Sequence, residues 1–271
     1  KIILLERRNH IGGNAYDEVD EHGILIQRYG PHFLNTNHYN VIRFLKQYTN
    51  LYSHYTKLLG VIDGQYVRMP YNFLTVQQLI GPEQAELLLA KLRGAFGGRD
   101  RVPILELVDH RDEDIRAYGT MLFEKAYRTY TSKMWGLQPE QIDKYVLERV
   151  PMAMNYDERY LNKDFQYLPV RGFTELFREM LNHPNINLEL STDALPLLHF
   201  EESTGTILFA GEPVDCLIYT GAIDELFQCK YGMLPYRSLD IQYEYHPDKT
   251  SVLPSEIVSY PQADGYTRKT E

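Results

Sequence analysis

Residues able to bind a dinucleotide surround a glycine turn near the start of the sequence. A short apolar run, Ile2 to Leu5, stops at an acid, and a Gly-Gly-Asn turn follows soon after. An acid at the carboxyl end of the second strand of a dinucleotide-binding unit binds a ribose hydroxyl. Together with the later Thr220-Gly221 turn, this pattern predicts a dinucleotide site. An ordinary buried strand followed by a glycine turn would give the same pattern. The residues of this first cluster are Glu6, Gly12, Gly13, Asn14, Thr220 and Gly221.

Two further clusters contain rings that suit a ligand-binding cleft. His32 follows a Gly-Pro pair in a tight loop, where a histidine is either a structural loop residue or a catalytic one. The segment from Tyr130 to Gly136, reading Y-T-S-K-M-W-G, holds the only tryptophan, Trp135. Its aromatic rings either pack a helical lobe against a sheet or offer a platform on which a nucleobase stacks, a contact worth roughly 1 to 3 kcal/mol.

A fourth cluster consists of arginines in irregular segments, any of which could clamp a phosphate in a bidentate manner. For each arginine taken alone, a solvated surface position is the alternative. The sequence contains no H-E-x-x-H, P-loop or G-x-S-x-G pattern, so zinc, ATP and serine-hydrolase chemistry have no support and we predict no metal site. The arginines are Arg171, Arg237 and Arg268.

Composition and charge limit the classes of function. Hydrophobic content of 44% and charged content of 24% are those of a soluble globular protein. The net charge of -9 argues against a non-specific nucleic-acid surface, but a few arginines in a cleft still attract an anionic small ligand. No run approaches roughly 18 apolar residues and no signal peptide is visible, so we predict no membrane span and a cytoplasmic location. Cys216 and Cys229 suit reduced thiols better than a disulfide framework.

Strand and helix patterns supply the elements that must position these clusters. The opening apolar run predicts a fully buried parallel strand, and an Asp-Gly pair between two β-like runs predicts a hairpin over 58–69. Apolar residues at helical spacing predict several helices. The predicted helices are 39–48, 81–94, 112–127 and 173–181, and the other predicted strands are 24–26, 187–190, 207–209, 216–219 and 241–245.

Several motifs occur together in an order that is typical of one family. They read E-R-R-N-H-I-G-G-N-A-Y, R-Y-G-P-H-F-L-N-T-N, M-P-Y-N, Y-T-S-K-M-W-G, I-Y-T-G-A-I-D and Y-R-S-L, with Y-T-R near the end. From Lys1 to Glu271, this series resembles the UDP-galactopyranose mutase family. The resemblance implies a divergent member, or a fragment lacking the N-terminal G-x-G-x-x-G turn and the C-terminal flavin segment.

The resemblance implies an α/β fold with α+β elements, in three interleaved parts with the sugar nucleotide between them. The parts are a Rossmann-like FAD-binding domain at 1–50 and 205–240, an inserted helical domain at 73–148, and an antiparallel sheet domain at 51–72, 149–172 and 241–271.

The activity implied by the resemblance is an FAD-dependent isomerisation. It interconverts the pyranose and furanose forms of a UDP-sugar, with N5 of the reduced flavin as nucleophile and no net change of oxidation state. NAD(P)H or another reductant would reduce the flavin, and a homodimer is compatible with the family. A role in cell-wall polysaccharide biosynthesis follows from the same resemblance.

Carried over position by position, the resemblance also assigns site residues. Arg268 and His32 are the expected catalytic residues. The expected cofactor-binding residues are Glu6, Arg7, Gly12, Gly13, Asn14, His32, Phe33, Thr220, Gly221 and Arg237. The expected substrate-binding residues are Asn72, Tyr130, Trp135, Phe165 and Arg268.

The sequence departs from the family pattern near the expected diphosphate site. The segment from Val150 to Met154 lacks an arginine that helps to hold the diphosphate, a charge-assisted contact worth about 1.5 to 3 kcal/mol. Phe165 stands where a tyrosine is expected, and Asn35 replaces a histidine. Arg171, at a position that is usually small, is a candidate to compensate. These departures predict an altered sugar preference or a slow enzyme.

Two alternatives from other classes remain open at this point. One is an oxidoreductase similar to the amine-oxidase-like flavoproteins, which would show stoichiometric flavin reduction by a substrate amine. The other is a catalytically inactive or truncated relative that binds a nucleotide sugar or nothing.

Overall fold

The computed structural model describes residues 1–137, 141, 150–201 and 203–271. Helices and strands are mixed along these ranges. The strands are β1 Ile2–Leu5, β2 Asp17–Val19, β3 Leu25–Gln27, β4 Leu34–Thr36, β5 Leu51–Ser53, β6 Leu58–Ile62, β7 Gln65–Met69, β8 Arg101–Val102, β9 Met152–Ala153, β10 Phe165–Pro169, β11 Ile186–Glu189, β12 Leu198–Glu201, β13 Thr206–Phe209, β14 Glu212–Pro213, β15 Ile257–Ser259 and β16 Arg268–Thr270. The α-helices are α1 Tyr39–Leu45, α2 Phe73–Ile80, α3 Pro82–Phe96, α4 Ile104–Val108, α5 Glu113–Leu122, α6 Thr129–Trp135, α7 Phe173–Leu181 and α8 Ile223–Leu226.

The chain divides into two compact units, each built from two separate stretches of sequence. The first unit contains Lys1–Ser53 and Tyr167–Ile241, and the second contains His54–Gln166 and Gln242–Glu271. The expected flavin-binding ranges therefore lie in the first unit, and the expected helical domain lies in the second.

The first unit contains small sheets, and one of them carries the opening strand. β1 pairs in parallel with β11, from Ile2 opposite Ile186 to Leu5 opposite Glu189. The predicted parallel pairing is confirmed, but the predicted full burial is wrong, since Ile2 and Ile3 are 56% and 51% exposed. The physical reason is that β1 has one strand neighbour within the described part of the chain. The remaining sheets of this unit have the strand orders β4-β10-β5, β12-β13-β14 and β2-β3.

A buried carboxylate joins the two stretches that form the first unit. Asp17 lies on β2 and is 4% exposed. Its two carboxylate oxygens accept hydrogen bonds from the backbone N–H groups of Phe173, at 2.6 Å, and Thr174, at 2.9 Å. These are unsatisfied donors of the first turn of α7, so Asp17 caps a helix that lies far away in the sequence. The Thr174 hydroxyl also donates to the Asp17 carbonyl at 2.7 Å.

The second unit contains a four-stranded sheet of order β16-β15-β6-β7. β6 and β7 form the predicted hairpin, with Ile62 opposite Gln65. The two turn residues, Asp63 and Gly64, have φ angles of 51° and 79°. Both values are positive, as a two-residue type I′ turn requires, which explains why an Asp-Gly pair predicts this hairpin.

The helices of the second unit enclose the main apolar core. α3 begins with Pro82 at its first position and buries Leu88, Leu89 and Leu92 on one face, as its sequence predicts. Tyr118 of α5 joins the same core. The most completely buried members include Ile62, Val67, Val76, Leu89, Leu92, Val102, Ile104, Leu107, Ile115, Leu122 and Met152.

One helical stretch runs further than its sequence predicts. α5 begins where predicted, because Asp112 accepts hydrogen bonds from the N–H groups of Asp114 and Ile115. Beyond α5, a π-helical segment, Phe123–Arg128, leads directly into α6. The Y-T-S-K-M-W-G motif is therefore helical up to Trp135, whereas the sequence placed it just past a helix end. The predicted boundary is wrong because a π turn keeps the backbone hydrogen-bonded while shifting the apolar register.

Two predicted strands are absent from the described structure. Residues 216–219 and 241–245 have no regular secondary structure. Ile218 is 85% exposed, and Tyr243 and Tyr245 are each 51% exposed. Short apolar or alternating runs are weak signals, since a strand also needs a neighbour with which to pair. The other predicted strands and helices occur within a few residues of their expected bounds. Within the described ranges, we find no helix with the length and apolar character that crossing a bilayer requires.

The contact between Gly172 and Asp17 predicts a specific loss of stability in Gly172→Ala. Gly172 has a φ of 85°, and an added Cβ would lie 2.7 Å from the Asp17 Oδ2 atom. We expect the substitution to lower the free energy of unfolding by about 2 to 4 kcal/mol, combining left-handed strain with displacement of the cap.

The matched control is Gly205→Ala, because Gly205 has a φ of 71° and open space around its Cβ position. It should cost only about 1 to 2 kcal/mol. Denaturant unfolding of both variants measures the difference, and equal losses would show that the Asp17 contact is unimportant.

Candidate active site

The structure separates the predicted site residues into two groups. Every expected cofactor-binding residue lies in the first unit, and every expected substrate-binding residue lies in the second unit.

Glu6 directly follows β1, and short backbone hydrogen bonds hold it beside the end of β11. Its N–H donates to the Glu189 carbonyl at 2.9 Å, and its own carbonyl accepts from the Thr192 N–H at 3.0 Å. Its Oε1 atom accepts from the Arg8 N–H at 2.7 Å. One carboxylate oxygen is thus engaged by the chain, so Oε2 is the oxygen that suits a ligand hydroxyl.

Arg8 is a candidate site residue that sequence reasoning missed. Its Nη2 atom donates to the Asn14 Oδ1 atom at 2.9 Å, and its guanidinium lies over the Tyr29 ring at 4.5 Å from the centroid. Its Nη1 atom is buried and has no hydrogen-bond partner among the described residues. A buried cationic donor without an acceptor is costly, so this atom points to a bound anion. The sequence did contain a signal for it, because Arg8 is the second arginine of the E-R-R motif and directly follows Arg7, which the resemblance assigns to the cofactor.

The Gly12-Gly13-Asn14 turn presents open backbone beside Arg8. Gly12 and Gly13 have φ angles of 90° and 55°. A Cβ on Gly12 would lie 3.1 Å from the Phe177 ring, whereas a Cβ on Gly13 would meet nothing within 4 Å. The turn therefore packs on α7 through one glycine and leaves space at the other. Such a turn suits close approach of a ligand to backbone.

A surface ion pair connects the first cluster with its distant second turn. The Arg7 Nη1 atom lies 3.4 Å from the Glu225 Oε2 atom, and both side chains are well exposed. Glu225 belongs to α8, which closely follows Thr220 and Gly221. Burial, followed by the nearby Glu225 carboxylate, raises the pKa of Tyr219 in the same segment. The two parts of the predicted cluster thus come together, with Arg7 on the solvent side.

The His32 loop is fixed by hydrogen bonds that select one tautomer. His32 Nδ1 lies 2.8 Å from the Gly30 carbonyl oxygen, which can only accept, so Nδ1 carries the proton. The Gln27 side chain pairs with both the N–H and the carbonyl of His32. Neutral His32 therefore has its lone pair on Nε2. Phe33 is half-buried beside it, and Arg237 lies in an exposed segment without regular structure.

In the second unit, α6 carries Tyr130 and Trp135, and both are half-buried. Burial, followed by the nearby Tyr130 hydroxyl, raises the pKa of Tyr71, whose ring lies 5.5 Å from that of Tyr127 in the preceding π-helical segment. Arg268 begins β16, opposite Ser259 of β15, with an exposed side chain. Its guanidinium has no hydrogen bond or ion pair with any described residue.

Lys133 connects these substrate-site elements, although sequence reasoning did not single it out. It lies on α6 between Tyr130 and Trp135 and donates to three backbone carbonyls of the loop that precedes Arg268. The structure thereby connects the helix of Tyr130 and Trp135 to the loop that directly precedes Arg268.

Asn72 is not retained as a substrate contact. Its side chain is fully buried and forms a capping box at the start of α2. Oδ1 accepts from the Leu74 and Thr75 N–H groups, and Nδ2 donates to the Asp157 carbonyl at 2.8 Å. The functional groups of the side chain are therefore used by the fold. The M-P-Y-N motif marks a helix start here.

The suggested compensation by Arg171 is also unsupported. Its Nη1 and Nη2 atoms lie 3.4 Å and 3.6 Å from carboxylate oxygens of Glu175 and Glu179 on α7. Phe165, the first residue of β10, belongs to the second unit and is half-buried, whereas the rest of that strand from Tyr167 onward belongs to the first. Arg171 belongs to the first unit, where local carboxylates already neutralise it.

Comparison with known proteins identifies the family. The sequence profile of UDP-galactopyranose mutase matches residues 125–271, and that of an NAD(P)-binding Rossmann-like domain matches residues 1–48. The chain belongs to the UDP-galactopyranose mutase family. The fold is accordingly mixed α/β with a Rossmann-like opening part, as predicted, and the family consists of isomerases.

Curated relatives align along the whole chain. A dTDP-fucopyranose mutase of Escherichia coli is 32% identical over 100% of this chain and 70% of its own length. A probable UDP-galactopyranose mutase of Klebsiella pneumoniae is 30% identical, with 66% of its length covered. A UDP-galactopyranose mutase of Mycoplasma pneumoniae is 30% identical, with 68% covered.

A solved structure shares the fold. The crystal structure of a reduced UDP-galactopyranose mutase superposes with a TM-score of 0.57 and 20% identity. The alignment covers 83% of this chain and 51% of that protein. The chain thus spans about half to two thirds of the proteins that it matches.

Proposed function

We propose that this protein interconverts the pyranose and furanose forms of a nucleotide-activated sugar, with reduced FAD as cofactor. The observation that carries the proposal is that Lys133, on the helix of Tyr130 and Trp135, donates to carbonyls of the loop that ends directly before Arg268. Family membership and relatives named for UDP-galactopyranose and dTDP-fucopyranose support it.

The first unit offers groups that fit FAD. The buried, unpartnered Nη1 atom of Arg8 and the open backbone at Gly13 match an anionic group beside a glycine turn. In our proposal, Arg8 and Arg7 bind the pyrophosphate, and the free Oε2 atom of Glu6 accepts from a ribose hydroxyl. When bound, the reduced flavin supplies the nucleophile for the anomeric carbon of the sugar.

Residues of the first unit would also orient the ring system of the cofactor. His32, with its proton fixed on Nδ1, offers Nε2 as an acceptor for a ligand N–H. Phe33 supplies an apolar ring beside it. We further propose that Thr220, Gly221 and Arg237 line the same site and that NAD(P)H or another reductant maintains the reduced state.

Residues of the second unit would bind the sugar nucleotide. Trp135 and Tyr130 offer ring faces for the base and the sugar, and the Arg268 guanidinium would neutralise the diphosphate as it leaves. Charge that develops on a leaving group is best stabilised by a donor that is already positioned. Phe165 contributes a ring but no hydroxyl, which fits a weaker hold on the phosphate.

Conversion of a nucleotide sugar by the reduced protein tests the proposal directly. We expect full-length protein reduced with dithionite to equilibrate UDP-galactopyranose or dTDP-fucopyranose with its furanose form, resolved by chromatography. The same protein without reductant is the control. Absence of conversion with these and other UDP-hexoses would refute the proposal, and stoichiometric flavin reduction by an amine would favour an oxidoreductase.

Substitution of Arg268 should impair turnover without removing flavin. We expect Arg268→Ala to lower kcat/KM by about 100-fold or more, since it removes one preorganised charge from the leaving group. Flavin content, measured by absorbance, should stay near that of the unsubstituted protein. Arg99→Ala is the control, because Arg99 belongs to the same unit and pairs with exposed Glu106. A wild-type rate in Arg268→Ala would remove its assigned role.

Substitution of Arg8 should weaken the cofactor instead. Arg8→Met keeps much of the side-chain volume but loses the buried donor, so we expect FAD affinity to fall by about 10-fold or more. Fluorescence titration of apoprotein with FAD measures the change. Arg43→Met, in the last turn of α1, is the control and should bind FAD normally. Equal FAD affinity in both variants would show that Arg8 does not contact the cofactor.

A further inference from the structure

Lys133 makes an unusual set of contacts for a lysine near a protein surface. Its Nζ atom donates to the backbone carbonyls of Tyr260, at 2.9 Å, and Tyr266, at 2.8 Å, and also to that of Ala263. An ammonium group has three N–H donors, so these three carbonyls use its full capacity. No carboxylate takes part in these hydrogen bonds.

The three carbonyls belong to one loop. Residues 260–267 connect β15 to β16, and the Tyr260 N–H donates to the Thr267 carbonyl at 2.8 Å to close the loop. The rings of Tyr260 and Tyr266 lie 5.1 Å apart. The loop thus wraps its carbonyl groups around a single cation. Arg268 is the residue that follows the loop.

A second contact holds the same loop from another side. Gln262 pairs with Asp63 of the β6–β7 turn, accepting from its N–H at 2.7 Å and donating to its Oδ1 atom at 2.9 Å. Lys125, in the π-helical segment before α6, forms an ion pair with Asp63. Hydrogen bonds from Lys125 and then Gln262 lower the pKa of Asp63. The helical stretch that ends in α6 therefore anchors the loop through two lysines.

Because Lys133 is half-buried, loss of its hydrogen bonds would be energetically costly. Its side chain is half-buried, and burial lowers the pKa of its ammonium group, while nearby Asp264 acts in the opposite direction. Without the ammonium group, three carbonyls would lose their charged donor at the same time. This loss is more costly than the loss of one surface ion pair.

The position of Arg268 depends on this loop. β15 is buried at the centre of its sheet, whereas β16 is a short exposed edge strand. An edge strand of three residues has few contacts of its own to fix its start. Lys133 supplies such a contact from the helix that also carries Tyr130 and Trp135.

We propose that Lys133 is a positioning residue that holds the 260–267 loop and thereby sets Arg268 relative to Tyr130 and Trp135. This inference rests on the proposed function, because it gives Arg268 a role in the reaction. In this role, Lys133 touches neither substrate nor cofactor. Its function is to make a short edge strand a fixed support for a phosphate-binding arginine.

Hydrogen exchange tests the loop contact without any need for activity. In full-length Lys133→Met, we expect the amides of Tyr260 and Ala263, which are hydrogen-bonded within the loop, to exchange at least about 10-fold faster than in the unsubstituted protein. Lys91→Met is the matched control, because Lys91 bridges Asp112 and Asp114 away from the loop. Unchanged loop exchange in folded Lys133→Met would overturn the inference, whatever the activity.

A double-mutant cycle tests the connection to Arg268. Lys133→Met alone should lower kcat/KM by about 10- to 100-fold, as expected for a displaced catalytic group. In an Arg268→Ala background, it should cost almost nothing further, because both changes remove one function. An equal additional loss in that background would overturn the positioning role, since Lys133 would then act independently of Arg268.

A conservative variant separates charge from geometry and serves if Lys133→Met fails to fold. Lys133→Arg keeps the positive charge, but its planar guanidinium cannot direct three N–H groups to these three carbonyls as an ammonium does. We expect intermediate loop exchange and intermediate kcat/KM, and wild-type values for both would overturn the inference.

The two proposals can fail separately. If Arg268→Ala is fully active while loop exchange rises in Lys133→Met, Arg268 has no role in the reaction, but Lys133 still holds the 260–267 loop. If Arg268→Ala is impaired while loop exchange is unchanged in Lys133→Met, the proposed function stands and Lys133 does not hold the loop.

Discussion

One interaction that holds the first unit together is made by the buried carboxylate of Asp17. This unit is assembled from two stretches of chain that lie far apart in sequence, and Asp17 joins them by capping α7 with both oxygens. Because α7 then supports the Gly12 turn through Phe177, the cap also fixes the surface beside Arg8. A buried carboxylate is tolerated here because backbone N–H groups donate to both of its oxygens. The candidate flavin site is therefore a consequence of how the two stretches are connected.

The second unit uses the opposite arrangement, a half-buried cation held by backbone acceptors. The ammonium of Lys133 gathers carbonyls from a loop that has little regular structure of its own. In both units, a charged side chain satisfies several backbone groups that no helix or sheet would satisfy. Such contacts specify one conformation of an irregular segment, which apolar packing alone does poorly. Irregular segments of this kind commonly present the functional residues of an enzyme.

The contacts of the residues that the family resemblance names differ from one residue to the next. Lys133 connects the helix of Trp135 to the loop that precedes Arg268, and Glu6 accepts from the Arg8 N–H with one of its two carboxylate oxygens. Asn72, in contrast, is a buried helix cap, although its motif is shared with the family. A motif records which residues occur together, whereas hydrogen-bond capacity decides which of them remain free for a ligand.

Local patterns in the sequence determined the elements of this protein. The Asp63-Gly64 turn, the Pro82 helix start and the apolar faces of α3 and α7 follow from backbone preferences and periodicity, which act between near neighbours. Tertiary structure alone decided the exposure of β1, the lack of strands over 216–219 and 241–245, and the hydrogen bonds of Arg8 and Lys133. These features depend on partners that are distant in the sequence. The energies of strand pairing and of desolvation arise only when folding brings such partners into contact.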